Sequence, residues 1–292
     1  MNPAKLLSSS SSRRKAIQVA GFAGLALVTL VTITPIFLIL GLILIKGLPA
    51  ISWEFLTAFP SQGMRQGGIF PAILGTVYLT FLTTLFVVPL GIAAAIYLAE
   101  YAPDNLVTRI IRISIINLAG IPSIVYGLFG LGIFVLFFKL GTSILAASLT
   151  LGIMTMPVII STAEEALRTV PQSFRVVSVS LGATRWQTIR KIVLPQSLPG
   201  ILTGVILGLE RAAGETAPIL FTGAAFYLPT LPNSPMDATM ALPYHLYVVS
   251  TQVPGMPEDI QYGTALVLLI LILGLNIAAT IIRSRARARR QW

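Results

Sequence analysis

Arg211 and Glu215 are the residues of this chain best placed to do chemistry, because they stand four positions apart in a stretch otherwise built of Leu, Ala and Gly. On a helix that spacing lets a guanidinium and a carboxylate meet one turn apart. Glu210 and the hydroxyl of Thr216 flank them. At the centre of a membrane helix an acid or an arginine costs roughly 2.5–3.5 kcal/mol, against roughly 0.3–0.6 gained per Leu or Ile. Three such charges require a protein-lined or watery setting, and the default use of that setting is a path for a polar or charged solute. A guanidinium there can grip an oxyanion with two parallel hydrogen bonds. Glu215 then serves as the counter-charge of the empty path, and Glu210 as a partner for a basic residue on another subunit. The competing reading is a purely structural ion pair at a subunit contact.

A second constellation precedes the first. Gly182, Ala183, Thr184, Arg185 and Trp186 open a basic segment that closes at Leu194 and Pro195. Pro171 suits the first turn of a helix, Gly182 its carboxyl-terminal stop, and Thr184 with Gln187 has the spacing of a capping box for a second helix. That second helix is amphipathic, with Ile189, Ile192 and Val193 on one side and Arg185, Arg190 and Lys191 elsewhere. The product is a helix–Gly–helix elbow on the membrane face. It either lies on acidic lipid or docks a cytoplasmic protein.

The elements that position both sets are membrane helices. The chain has 292 residues, is 55% hydrophobic and only 10% charged, and has a mean hydropathy of +0.87, far outside soluble-domain norms. The expected fold is all-α and polytopic, with six spans near 16–45, 71–98, 110–138, 143–162, 198–222 and 262–282. The first span is too long for a signal-peptide core and is expected to remain as an anchor. Gly200, Gly204 and Gly208 recur every four residues in the fifth, offering a flat face to another helix. Arg211 falls roughly 18 Å along that span from Pro199. Gly214 and Pro218 loosen the helix beside it.

The net charge of +10 does not indicate nucleic acid, since the basic residues sit in a few connecting segments. With the amino terminus inside, sixteen of the twenty Lys and Arg fall in cytoplasmic segments, leaving Lys46, Arg65 and Lys139 outside and Arg211 in a span. That asymmetry places both termini in the cytoplasm. The arginine-rich tail, 284–292, is expected to anchor on anionic lipid. Outside, Trp53, Phe55 and Phe59 suit a short interfacial helix. The Pro- and Tyr-rich segment 223–261 either receives an external partner or plugs the helix ends. His245 within it is expected to be a satisfied surface imidazole. Cysteine is absent, no Gly-Lys dipeptide supplies a phosphate loop, and no metal-ligand cluster or nucleophile elbow occurs, so no cofactor is expected and energy must enter from another chain.

The run Leu181 to Trp186, followed by Ile192-Val193-Leu194-Pro195, resembles the cytoplasmic loop of ABC importer permeases. Where that family's loop opens Glu-Ala-Ala, this chain has Val176, Val177 and Ser178, while the Gly and Leu-Pro anchors are intact. Pro122 to Gly130, and Arg211-Ala212-Ala213-Gly214-Glu215-Thr216-Ala217-Pro218, are similar to the permeases of the phosphate-specific transport system, the second stretch resembling the A-type permease rather than its C-type partner. The resemblance covers about residues 70–283. It implies a type I importer permease fold, with residues 1–70 as a preceding unit, a permease core at 71–283 and a coupling loop at 163–197. It further implies a bacterial plasma membrane, phosphate as solute, a second homologous permease, a pair of ATP-binding subunits and an extracytoplasmic phosphate-binding protein. In that reading Gly182, Ala183, Thr184, Arg185, Trp186, Leu194 and Pro195 couple to the ATPase, and Arg211, Glu215, Glu210 and Thr216 line the path. A stand-alone anion channel or secondary transporter is the alternative; it would have no need of the loop, and no inverted repeat of interrupted helices supports it.

Overall fold

The computed structural model describes residues 3–288, with no side-chain description for 1–13, 16 and 286–292. Arg289 and Arg290 of the basic tail thus lie outside the described residues. Among the described residues five helices are long and apolar enough to cross a membrane, six if a bent pair counts as one span. Among the described residues the regular structure is helical apart from a hairpin of two-residue strands, Pro60–Ser61 paired antiparallel with Gln66–Gly67, and an isolated bridge between Ala224 and Thr239.

Helix α1 (Pro3–Gly47) is apolar from Ile17 on, and none of its most apolar window is buried against the rest of the chain. It meets the bundle near its end, where a Cβ on Gly47 would lie 2.5 Å from the Tyr262 carbonyl oxygen and Lys46 Nζ stands 2.7 Å from Glu258. The short α2 (Trp53–Thr57) follows, capped by Ser52, whose hydroxyl accepts from the Phe55 amide. Trp53 is exposed and Phe55 is buried, as a helix lying at an interface requires.

Helix α3 (Phe70–Ile96) winds into a π-turn at Tyr97–Tyr101. The stretch expected as one span at 110–138 is instead two helices, α4 (Leu106–Ala119) and α5 (Ser123–Gly130), the second prolonged by a π-turn to Phe137. The two are bent by 103° at Gly120–Pro122. Pro122 disfavours helix for the residue before it, and the Tyr126 hydroxyl, donating 2.8 Å to the Leu118 carbonyl, holds the corner.

Helix α6 (Ile144–Arg168) is the axis of the bundle, with two thirds of its apolar window buried. Ser143 caps it by accepting from the Ala146 amide. Against one side lies α3, where a Cβ on Gly91 would come 2.9 Å from Ile159. Two further helices, α7 (Gln172–Ser180) and α8 (Arg185–Thr188), form the elbow. Then a π-turn at Ile189–Val193 runs into α9 (Leu194–Gly214). The glycine face of α9 is used within the chain: Gly200, Gly204 and Gly208 abut Ala166, Thr162 and Ile159 of α6.

The expected span 198–222 also breaks. After Gly214 the backbone of Glu215 is extended (φ −78°, ψ 135°), and α10 (Ala217–Thr222) restarts beyond Thr216. Pro218 has no amide hydrogen to give the Gly214 carbonyl, so a continuous helix would lose that bond. Beyond it, α11 (Leu242–Thr251) packs on α3 and on the last helix, α12 (Glu258–Ala288). Within the segment 223–261, α11 is thus packed against the bundle. His245 is 2% exposed, so the surface imidazole expected from its loop-like surroundings is corrected to a core residue of α11.

Candidate functional site

Arg211 sits in the last turn of α9, three residues before the helix ends. Its Nε lies 3.4 Å from Glu215 Oε1, with side chains 33% and 18% exposed. The pair forms although the helix has already given way, because the extended Glu215 backbone still carries its carboxylate back to the preceding turn. At that separation the bond is long for a charge-assisted contact, which is normally 2.7–2.9 Å. One guanidinium edge is thus loosely held. Thr216 is the residue that opens α10, its carbonyl accepting from the Leu220 amide at 3.1 Å. Glu210, half-buried one residue before Arg211, has no ion-pair partner among the described residues. Of the four residues expected together, three converge on the break between α9 and α10 and Glu210 does not join them.

The elbow has the local build its sequence implies. Thr184 accepts from the Gln187 amide at 3.3 Å while the Gln187 side chain accepts from the Thr184 amide at 2.9 Å, a complete capping box. Gly182 adopts φ +85°, a left-handed conformation costly to other residues. Pro171 stands just before α7 rather than within its first turn. Ile189 and Val193 are buried, whereas Trp186 is 52% exposed beside exposed Arg185 and half-buried Ala183. Leu194 and Pro195 begin α9, so the elbow and Arg211 belong to one run of helix spanning Arg185–Gly214. Arg185 and Arg211 are separated by roughly 39 Å of helix axis at 1.5 Å per residue.

Acidic residues that sequence reasoning passed over tie this end together. Glu100, 8% exposed in the π-turn after α3, receives Arg175 Nη2 at 2.6 Å and Nε at 3.2 Å. Glu164 of α6 receives Arg112 Nε at 2.8 Å and Arg168 Nη2 at 3.0 Å. Arginines from three separate segments thus gather at one end of the bundle, and Lys46 and Arg65 bond Glu258 and the Pro254 carbonyl in the segments that precede and open α12. The signal available beforehand was position: Glu100 is the first charge after a long apolar run.

Residues 87–290 match the family described as "Binding-protein-dependent transport system inner membrane component". The chain belongs to that family of importer permeases. As such it is a multi-pass membrane protein and a subunit of an ABC importer whose ATPase is a separate chain. Among relatives, it is 37% identical to the "Probable phosphate transport system permease protein PstA" of Methanocaldococcus jannaschii, over 85% of this chain and 87% of that one. It is 35% identical to "Phosphate transport system permease protein PstA 2" of Mycobacterium bovis, over 96% and 91%. A third relative, "Probable ABC transporter permease protein YqgI" of Bacillus subtilis, is 36% identical over 81% and 85%. The permease fold also aligns with a chain of a bacterial alginate ABC transporter at TM-score 0.67, covering 94% of this chain and 96% of that one at 17% identity. A chain of the MetNI methionine transporter aligns at TM-score 0.60, covering 74% and 94% at 20% identity.

Proposed function

We propose that this permease carries inorganic phosphate, with a second, homologous permease forming the other half of the path, two ATP-binding subunits and an extracytoplasmic phosphate-binding protein. Phosphate rests on the PstA-named relatives, which share 35–37% identity across most of the chain. The role of the site rests on one observation: a partly exposed guanidinium, at a helix break in an apolar bundle, whose carboxylate neighbour stands at 3.4 Å.

Arg211 receives phosphate by two-pronged hydrogen bonding as Glu215 is displaced, and Glu215 returns to it once phosphate has left. The carboxylate keeps the empty path from stranding an unpaired charge, which is costly in a low-dielectric setting. Thr216 offers its hydroxyl beside them, and Glu210 pairs across to the partner permease. The elbow, with Gly182 to Trp186 at its bend and Leu194 and Pro195 at its exit, meets the ATP-binding subunit. Both termini and the elbow face the cytoplasm, a reading supported by the arginines gathered at one end of the bundle. The test is phosphate uptake by the assembled complex carrying Arg211→Gln. Uptake should be lost while assembly persists; normal uptake refutes the assignment.

A further inference from the structure

Both arms of the elbow are gripped by one residue. On the first arm, Arg175 of α7 reaches Glu100 with Nη2 at 2.6 Å and Nε at 3.2 Å, and its remaining nitrogen contacts go to the Val170 and Leu167 carbonyls at 2.6 and 2.9 Å. On the second arm, Arg185 donates to the backbone carbonyl of the same Glu100 and lays its guanidinium over the Tyr101 ring, 4.9 Å from the centroid. The arms are joined to each other by the Ser178 and Thr188 hydroxyls at 2.9 Å. Glu100 itself stands in the π-turn that ends α3, and Arg112 bonds the Leu98 carbonyl of that turn at 2.8 Å while it pairs with Glu164 of α6.

The grip has direction. A forked guanidinium–carboxylate contact resists both pulling and rotation, unlike a point contact. Around it is room to move: a cavity of about 910 Å³ lies beside the elbow, lined by Glu100, Arg168, Arg175, Ala183 and Arg185 among others. Beyond its chain neighbours no atom lies within 4 Å of where a Gly182 side chain would begin, so no other element packs on the outside of the bend. The second arm also continues covalently into α9. A displacement of the elbow therefore has two routes into the bundle, through the chain to α9 and through Glu100 to α3.

We propose that Glu100 is the positioning residue of the elbow, the joint that couples its displacement to α3 and, by way of Arg112 and Glu164, to α6. This rests on the reading of the elbow as the ATPase contact. Glu100 acts through Arg175 and Arg185.

The test uses the assembled complex in lipid vesicles. Because the chain has no native cysteine, spin labels placed by Tyr97→Cys on the π-turn and Ser180→Cys on α7, both exposed positions, report the separation of the two elements. Glu100→Gln should broaden that distance distribution and lower the stimulation of ATP hydrolysis by loaded binding protein roughly fivefold or more, the scale of an ordinary coupling free energy. Glu100→Asp, which keeps the carboxylate, should retain most of the stimulation, a distinction that loss of folding alone would not produce. Should Glu100→Gln fail to assemble, Arg175→Lys keeps the charge and removes the fork, and the same two readouts apply. An unchanged distribution with stimulation within about twofold of wild type overturns the inference, provided Gly182→Asp abolishes stimulation. If Gly182→Asp also leaves stimulation intact, the ATPase-contact reading fails and the role of Glu100 falls with it.

Discussion

Gly204 lies so close to Thr162 that a Cβ on the glycine would come within 2.7 Å of the threonine Cβ. This contact, repeated by Gly200 with Ala166 and Gly208 with Ile159, brings α9 against the central α6. Close backbone approach of this kind maximises packing where lipid supplies no hydrophobic drive between helices. Gly204→Ala is expected to destabilise the protein by about 1–3 kcal/mol, the usual cost of overpacking. Gly274→Ala on α12, where nothing lies within 4 Å, is the control. Thermal unfolding in mild detergent checks both.

The Arg211–Glu215 pair should matter for transport and for stability alike. Its carboxylate is 18% exposed and 3.4 Å from the guanidinium, and removing one member of such a pair in an apolar setting leaves the other charge uncompensated, at a cost on the order of a few kcal/mol. Glu215→Gln is expected to lower the unfolding temperature and to slow phosphate uptake, because phosphate then has no carboxylate to exchange with on leaving. Uptake at saturating binding protein and thermal stability of the same preparation read the two effects.

His245 predicts a pH dependence. Burial lowers its pKa from 6.5 to about 4, and its Nδ1 is buried without a hydrogen-bond partner. The folded state therefore holds a neutral imidazole, while the unfolded chain protonates near 6.5. Stability is fully present above pH 6.5 and declines as pH falls toward 4, by about 3 kcal/mol over that window. His245→Phe should flatten the decline. Unfolding midpoints between pH 4 and 8, wild type against variant, provide the measurement.

Gly182 has φ +85° with open space around it, so size is not the obstacle to substitution there; backbone conformation is. Gly182→Val should cost roughly 1–2 kcal/mol locally, while Gly182→Asn, whose side chain tolerates that region, should cost less. Protease sensitivity of the 163–197 segment in the assembled complex, ranked wild type, Asn, Val, reads the difference.

Much of this architecture is legible in the sequence because each cue is local. The capping box of Thr184 and Gln187, the stop at Gly182 and the four-residue spacing of Arg211 and Glu215 depend on neighbours within a turn or two, and all three are present in the fold. The corner at Gly120–Pro122 is different. An apolar count reads 110–138 as one span, since apolarity does not report direction, and the bend is held by a tertiary bond from Tyr126. Glu100 meets Arg175 across 75 positions of sequence, and no periodicity relates them. His245 departs from expectation for a related reason: Pro- and Tyr-rich surroundings suggest a surface loop, whereas packing of α11 on α3 and α12 decides its burial.

The measurement that tests the account most directly is uptake of radiolabelled phosphate into sealed vesicles, comparing this permease alone with the full assembly of second permease, ATP-binding subunits, loaded binding protein and ATP. Accumulation is expected by the full assembly only, and none when ATP is withheld. Phosphate accumulation by the chain reconstituted by itself, without nucleotide, contradicts it.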